Sequence, residues 1–198
     1  MTRTFRRPLL LIAGLLGSGL ASAHTGVDAS AHHGVVTGFM HPLTGTDHLA
    51  AMLAVGLWSA VSAPAVDRRM LRAPITFALM LLAGALLGYA GVSLPAVEPM
   101  IAASVLVLGL LAASRQALSA PLAALLVGGF AVFHGVAHGA ELSEHHGGLG
   151  ALIGMVAATA LLHGVGLGAG ALLRQRSVWL PRVAGLGIAA FGASLLVA

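Results

Sequence analysis

The chain has 198 residues, of which 58% are hydrophobic and only 8% are charged. A soluble globular domain carries about 25% charged residues, so the composition excludes a water-covered surface and predicts an integral membrane protein. The net charge of +4 comes from ten arginines, without lysine, and six acids. The arginines form no stripe interleaved with aromatics, which argues against a nucleic-acid partner. Because cysteine is absent, disulfides, thiolate ligands and cysteine nucleophiles are excluded, and ten histidines and six acids remain for chemistry.

The N-terminus has the pattern of a secretory signal peptide. Three arginines within residues 3–7 precede an apolar run from Leu9 to Leu20, and Ala21-Ser22-Ala23 is an A-x-A cleavage site. The apolar run is shorter than the roughly 20 residues that a transmembrane helix needs. We therefore expect a signal peptide at 1–23 and a single mature domain at 24–198 that begins outside the cytoplasm. The alternative is an uncleaved first helix.

Six long apolar segments follow, separated by short polar breaks. They predict helices at 34–62, 73–91, 98–113, 119–140, 149–173 and 178–197. The expected fold is an all-α polytopic membrane protein with six transmembrane helices. Two glycine pairs at i, i+4, Gly84/Gly88 and Gly164/Gly168, allow close helix packing in lipid.

Arginine placement predicts the orientation. After the signal segment, arginines occur only in alternate breaks, at 68–72, at 115 and at 174–182, whereas the other side carries most of the acids and histidines. The positive-inside rule then makes the arginine side cytoplasmic. We expect a bacterial inner-membrane protein whose mature N-terminus is periplasmic.

The first chemical motif is His41-Pro42-Leu43-Thr44-Gly45-Thr46-Asp47-His48. A charged group at membrane depth costs roughly 2.5–3.5 kcal/mol to insert. The presence of these residue types in an apolar segment therefore indicates that they have a function. Pro42 disfavours helix at His41, and Thr44 with Asp47 matches a capping box from which the helix can restart. Either geometry gathers His41, Asp47 and His48 near the outer end. The alternative is a polar helix start with Asp47 as its cap.

The second motif lies in the fourth predicted helix. His134 and His138 are spaced i, i+4, and Glu141 follows at i+7, so all three share one helical face as chelation of one ion requires. The alternative is a histidine pair that bonds backbone carbonyls at a helix end. His163 lies deep in the fifth predicted helix, where a structural role is the alternative. For Glu98, at the start of the third predicted helix, a helix-dipole role is favoured.

Further histidines are candidates for collecting ions at the outer surface, with an ordinary solvated role as the alternative: His24, His32, His33, His145 and His146. Imidazoles and carboxylates without thiolates suit borderline divalent ions such as Ni, Co, Zn or Fe(II).

The motifs resemble the HupE/UreJ family of small membrane proteins. The resemblance begins with residues 41–48, continues through Met52 to Trp58 and Phe133 to Glu141, and includes Ala160-Leu-Leu-His163, so it covers essentially the whole mature chain. That family is known as secondary nickel or cobalt permeases associated with hydrogenase, urease or cobalamin metabolism. The resemblance implies a signal peptide, six spans and transport of Ni²⁺ or Co²⁺.

The expected function is uptake of such an ion through a relay in the first, fourth and fifth predicted helices: His41, Asp47, His48, His134, His138, Glu141 and His163. No Walker A pattern is present, so neither ATP hydrolysis nor an ATPase subunit is expected. We expect no enzymatic activity, no cofactor besides the transported ion, and the ion and the lipid bilayer as partners. The oligomeric state is open, a homo-oligomer included. The alternatives are a membrane-embedded zinc hydrolase and a metal-binding accessory or sensor protein for metalloenzyme maturation.

Overall fold

The structure, a computed structural model, describes residues 34–144 and 148–198. These ranges contain seven α-helices and no strand: α1 (Gly34–Thr44), α2 (Thr46–Ser62), α3 (Arg72–Tyr89), α4 (Val97–Ser114), α5 (Ala120–Glu144), α6 (Gly148–Arg176) and α7 (Trp179–Val197). A 3₁₀ turn, Arg68–Leu71, precedes α3. The predicted all-α class is confirmed. The predicted signal peptide and all five candidate outer histidines (24, 32, 33, 145 and 146) lie outside the described residues.

Within the described ranges, five helical stretches are long and apolar enough to cross a membrane: Arg68–Tyr89, Val97–Ser114, Ala120–Ser143, Gly150–Arg176 and Trp179–Val197. They coincide with the last five predicted segments, and the chain is a multi-pass membrane protein. The third of these helices, α5, continues beyond its predicted end at residue 140 and reaches Glu144. Glu141 therefore lies within a helix, one turn beyond His138.

The first predicted segment, 34–62, is not one helix. It divides at Gly45, which has extended backbone angles (φ −78°, ψ 110°) and is the N-cap of α2. The break that Pro42 and the Thr44–Asp47 pattern suggested is present, but helix α1 includes His41 and Pro42 and continues through Thr44. The missing N–H of a proline removes one helical hydrogen bond, and α1 packs along α6.

The capping box predicted for Thr44 and Asp47 does not form. The Thr44 hydroxyl instead donates to the His41 carbonyl at 2.9 Å, within the last turn of α1. No side chain caps the start of α2. Because the break falls one residue later than predicted, Thr44 belongs to the preceding helix, and Asp47 is free to bind a neighbouring imidazole.

Helix α2 is the central helix of the bundle. Its residues Ala51, Met52 and 54–61 are all buried. Helices α6 and α4 cover most of α2, and α3 and α7 cover a smaller part. Around this centre, α3 packs along α5, and α4 packs along α7. A helix that is covered on every side shows little amphipathic periodicity, which explains why sequence patterning identifies this segment without assigning it a face.

Glycines set the close approach of α3 and α5. A Cβ at Gly84 or Gly88 would overlap the carbonyl oxygen of Val132 or Val136, respectively. A Cβ at Gly139 would likewise overlap the backbone of Ala85. The close packing predicted for the Gly84/Gly88 pair is confirmed, and it places α3 directly against the histidine-bearing helix.

The matching prediction for Gly164 and Gly168 is wrong within the described residues. Neither has an atom within 4 Å of the place where a Cβ would be, so both lie on an outer face of α6. The close contacts of α6 use Gly154, against α1, and Gly166, against α2. Spacing alone cannot say which face of a helix meets a neighbour.

Two arginines, one in the last turn of α6 and one directly after α4, meet the C-terminal end of α2. The Arg174 guanidinium donates to the Ala60 carbonyl at 2.7 Å, and Arg115 Nε donates to the Val61 carbonyl at 3.5 Å. Trp58 Nε1 donates to the Gln116 carbonyl at 2.9 Å in the same region. Cations are favourable beside the exposed carbonyls of a helix C-terminus. These two arginines therefore lie at one end of the bundle.

Candidate metal site

A cluster of imidazoles and carboxylates lies at the other end of α2, about 18 Å away at 1.5 Å per residue. Helix α1 contributes His41, α2 contributes Asp47 and His48, and α5 contributes His134, His138 and Glu141. We call these six residues the histidine cluster. The break at Gly45 redirects the chain between the first two contributions. The structure thus brings together six of the seven residues predicted for the relay.

His138 lies at the centre of this cluster. Its ring centroid is 4.7 Å from that of His41 and 4.1 Å from that of His48. His48 in turn lies 4.6 Å from His134. The four imidazoles therefore form a continuous row, from the half-exposed His41 to the fully buried His134.

The outer part of the row is a three-ligand group, which we call the outer trio. Glu141 Oε2 lies 2.6 Å from His41 Nε2 and 3.9 Å from His138 Nδ1. One ligand atom from each residue lies within 4.8 Å of the other two. Bonds of roughly 2.0–2.2 Å from a borderline ion to N or O allow ligand atoms up to about 4.2 Å apart. To hold such an ion, the widest pair of the trio would have to close by less than about 1 Å, whereas Glu141 Oε2 and His41 Nε2, now 2.6 Å apart, would have to separate slightly.

The side chains of the outer trio differ in exposure. His41 and Glu141 are 40% and 31% exposed, whereas the His138 side chain is 2% exposed. The outer two side chains are therefore partly accessible from the surface, whereas the His138 side chain lies inside the protein.

The inner part of the row has polar partners of its own. Asp47 Oδ1 accepts hydrogen bonds from the His48 backbone N–H at 2.8 Å and from His48 Nδ1 at 2.9 Å. His134 Nε2 lies 2.8 Å from Ser104 Oγ of α4. Ser104 is not among the residues predicted from the sequence. The available signal was a serine in the middle of a helix whose other polar residues, Glu98 and Ser114, lie at its ends.

Several nitrogens of this row are buried without a hydrogen-bond partner among the described residues. They are His48 Nε2, His134 Nδ1 and both ring nitrogens of His138. Buried polar atoms are nearly always paired, because an unpaired one loses its hydration without compensation. Because a neutral imidazole has one lone pair on nitrogen, these three neighbouring rings offer three nitrogen ligands suited to a metal ion.

His163 is the predicted relay residue that stands apart. The ring of Phe77 lies between the two sites, 5.6 Å from His134 and 5.2 Å from His163, and it is fully buried. His163 is buried as well, and its Nε2 has no partner in the described ranges. The close crossing of α2 and α6 at Gly56, which contacts the His163 backbone, fixes its position.

Glu98 lies at the surface beside the histidine cluster. Its exposed carboxylate, in the first turn of α4, lines one surface concavity together with Asp47 and a second one together with Glu141. The first turn of a helix is a favourable place for a carboxylate, in agreement with the sequence-based interpretation. The structure adds that Glu98 lines a concavity with each of the two carboxylates of the cluster.

The sequence of the chain is similar to that of known proteins. The model of the family described as HupE / UreJ protein matches residues 11–195. The chain is also 38% identical over 187 residues to a protein named Protein HupE from Rhizobium leguminosarum bv. viciae, a match that covers 94% of this chain and 95% of the relative. No solved structure matches the chain at a significant level.

Proposed function

Because the chain belongs to the HupE/UreJ family, we propose that it imports a divalent transition-metal ion, Ni²⁺ or Co²⁺, across the bacterial inner membrane. The observation that carries this proposal is the row of four imidazoles with unpaired nitrogens that leads from a half-exposed carboxylate into the bundle. Imidazole and carboxylate without thiolate is the ligand set for borderline ions.

His138 supports stepwise movement of the ion. It belongs to the outer trio, and its ring also lies 4.1 Å from that of His48. An ion held by the trio can exchange His41 and Glu141 for His48 while His138 stays bound. Shared ligation avoids full rehydration between steps, because the ion is never without a protein donor. Beyond His134 the ion passes Phe77 to reach His163.

The topology supports six crossings and a periplasmic cluster. Helix α2 runs alongside α6 from the cluster to the arginine end, so it traverses the bundle although it has only 17 residues. The end of α7 returns to the cluster side, where Leu195 and Leu196 line a concavity with Asp47. With the arginine end cytoplasmic, the membrane potential drives a divalent cation inward by about 4.6 kcal/mol per 100 mV, at 2.3 kcal/mol per charge.

Reconstitution tests this proposal. Purified protein is placed in liposomes that contain a Ni²⁺-sensitive dye, a negative internal potential is imposed, and Ni²⁺ or Co²⁺ is added outside. We expect dye quenching that depends on the potential and is lost in His138→Gln, because this residue links the two parts of the row. Asp67→Asn is the control, since Asp67 is an exposed carboxylate at the arginine end.

The alternative functions give different outcomes in the same preparation. Metal binding without flux in the wild-type protein would contradict transport and favour the accessory or sensor role. Metal-dependent turnover of lipid or peptide would favour a hydrolase. Equal flux in wild type and His138→Gln would show that the row is not the path.

A further inference from the structure

The hydrogen bonds of Ser104 determine which way its proton points. Ser104 Oγ lies 2.6 Å from the Ile101 carbonyl oxygen, which can only accept. A serine hydroxyl has a single proton and two lone pairs. The hydroxyl proton is therefore donated to the Ile101 carbonyl. Ser104 Oγ can only accept a hydrogen bond from its second partner, His134 Nε2, which lies 2.8 Å away.

It follows that His134 Nε2 carries a hydrogen and donates it to Ser104. In a neutral imidazole one nitrogen is a donor and the other an acceptor, so Nδ1 holds the free lone pair. His134 Nδ1 is also buried without a hydrogen-bond partner in the described part of the chain. We propose that Ser104 is a positioning residue that fixes the Nε2–H tautomer of His134 and thereby makes Nδ1 its metal-binding atom.

The neighbouring ring, that of His48, is held in the opposite tautomer. The Asp47 carboxylate accepts from His48 Nδ1 at 2.9 Å, which leaves His48 Nε2 with the lone pair, again buried and unpaired among the described residues. Metal-binding histidines generally donate their second N–H to such a partner, which fixes the tautomer and the ring orientation. Ser104 does for His134 what Asp47 does for His48, although it contributes no charge. The ion-binding half of this inference rests on the proposed function, whereas the tautomer rests on the hydrogen bonds alone.

The tautomer is measurable without metal. In protein labelled with ¹⁵N-histidine, the shifts of a ring distinguish a protonated nitrogen from an unprotonated one, and His134→Gln identifies the signals of His134. We expect the Nε2–H tautomer of His134 in wild type and in Ser104→Thr, which keeps a hydroxyl. In Ser104→Ala we expect a mixture of tautomers. Ser62→Ala is the matched control, because its hydroxyl also bonds a helix carbonyl, that of Trp58, but lies at the arginine end. An Nδ1–H form in wild type, or an unchanged tautomer in Ser104→Ala, would overturn the proposal.

Ni²⁺ titration of the same samples tests the ion-binding half. Loss of an outer-shell partner weakens metal binding by about 10- to 100-fold, so we expect a loss of this size in Ser104→Ala, recovery in Ser104→Thr and no change in Ser62→Ala. If the tautomer behaves as expected but His134→Gln binds Ni²⁺ like wild type, Nδ1 is not a ligand. That result would refute the ion-binding half while leaving the tautomer assignment intact. If Ser104→Ala does not fold, Nε2–H in both wild type and Ser104→Thr supports the proposal, and any other tautomer in either protein refutes it.

Discussion

Glu141→Gln is the sharpest single test of the outer trio. The substitution keeps the size of the side chain and one oxygen, and it removes the negative charge that lies 2.6 Å from His41 Nε2 and 3.9 Å from His138 Nδ1. Helix α5 is little affected, because glutamate and glutamine have similar helix propensities. The change therefore isolates the charge.

The size of the effect follows from the position of the carboxylate. For unit charges 4 Å apart near a protein surface the interaction is about 4 kcal/mol, and a divalent ion doubles it. Most of this gain is offset, because the ion gives up water and the amide oxygen of glutamine remains able to bind. Loss of an outer-shell partner alone weakens metal binding about 10- to 100-fold. Since Glu141 is a partner of His41 and also a candidate ligand, we expect at least this loss, roughly 1.4–2.8 kcal/mol.

The assay is Ni²⁺ binding by calorimetry, together with the initial rate of uptake into liposomes over a range of Ni²⁺ concentrations. The loss should appear mainly at limiting metal. Asp67→Asn removes the same charge from the arginine end and should bind Ni²⁺ like wild type. If Glu141→Gln binds within about twofold of wild type, a difference of about 0.4 kcal/mol, the outer trio is not the first metal site.

Four further outcomes are expected. A reporter fused after Ala198 should be active in the periplasm and one fused near Arg69 in the cytoplasm, and the reverse pattern would overturn the orientation. Replacing His145 and His146 with alanine should reduce uptake at low metal and spare it at high metal, whereas loss at every concentration would make them essential. Phe77→Ala should destabilise the protein by about 3–5 kcal/mol through a buried cavity, measured as a lower Tm in detergent, and an unchanged Tm would contradict its tight packing. Uptake should fall as the outside pH is lowered, because protons and metal compete for the ring nitrogens, and a flat profile would argue against imidazole ligands.

The sequence by itself determined the class of the protein and the composition of the site. A low charge content and repeated apolar segments require a helical membrane protein, since only helices and closed barrels satisfy backbone groups in lipid. The i, i+4, i+7 spacing placed His134, His138 and Glu141 on one face, because the period of an α-helix is a local property. The composition of the donor set followed from the absence of cysteine.

Only the tertiary structure decided how these local faces meet. It placed the break of the first segment at Gly45, brought His48 against His138, and put Phe77 between His134 and His163. Spacing did not show that Gly84 packs while Gly164 faces outward, or that Ser104 would meet His134 across 30 residues of sequence. Contacts between helices depend on which faces pack and at what depth. In lipid all apolar faces are alike in hydrophobicity, so close packing and hydrogen bonds between helices make that choice.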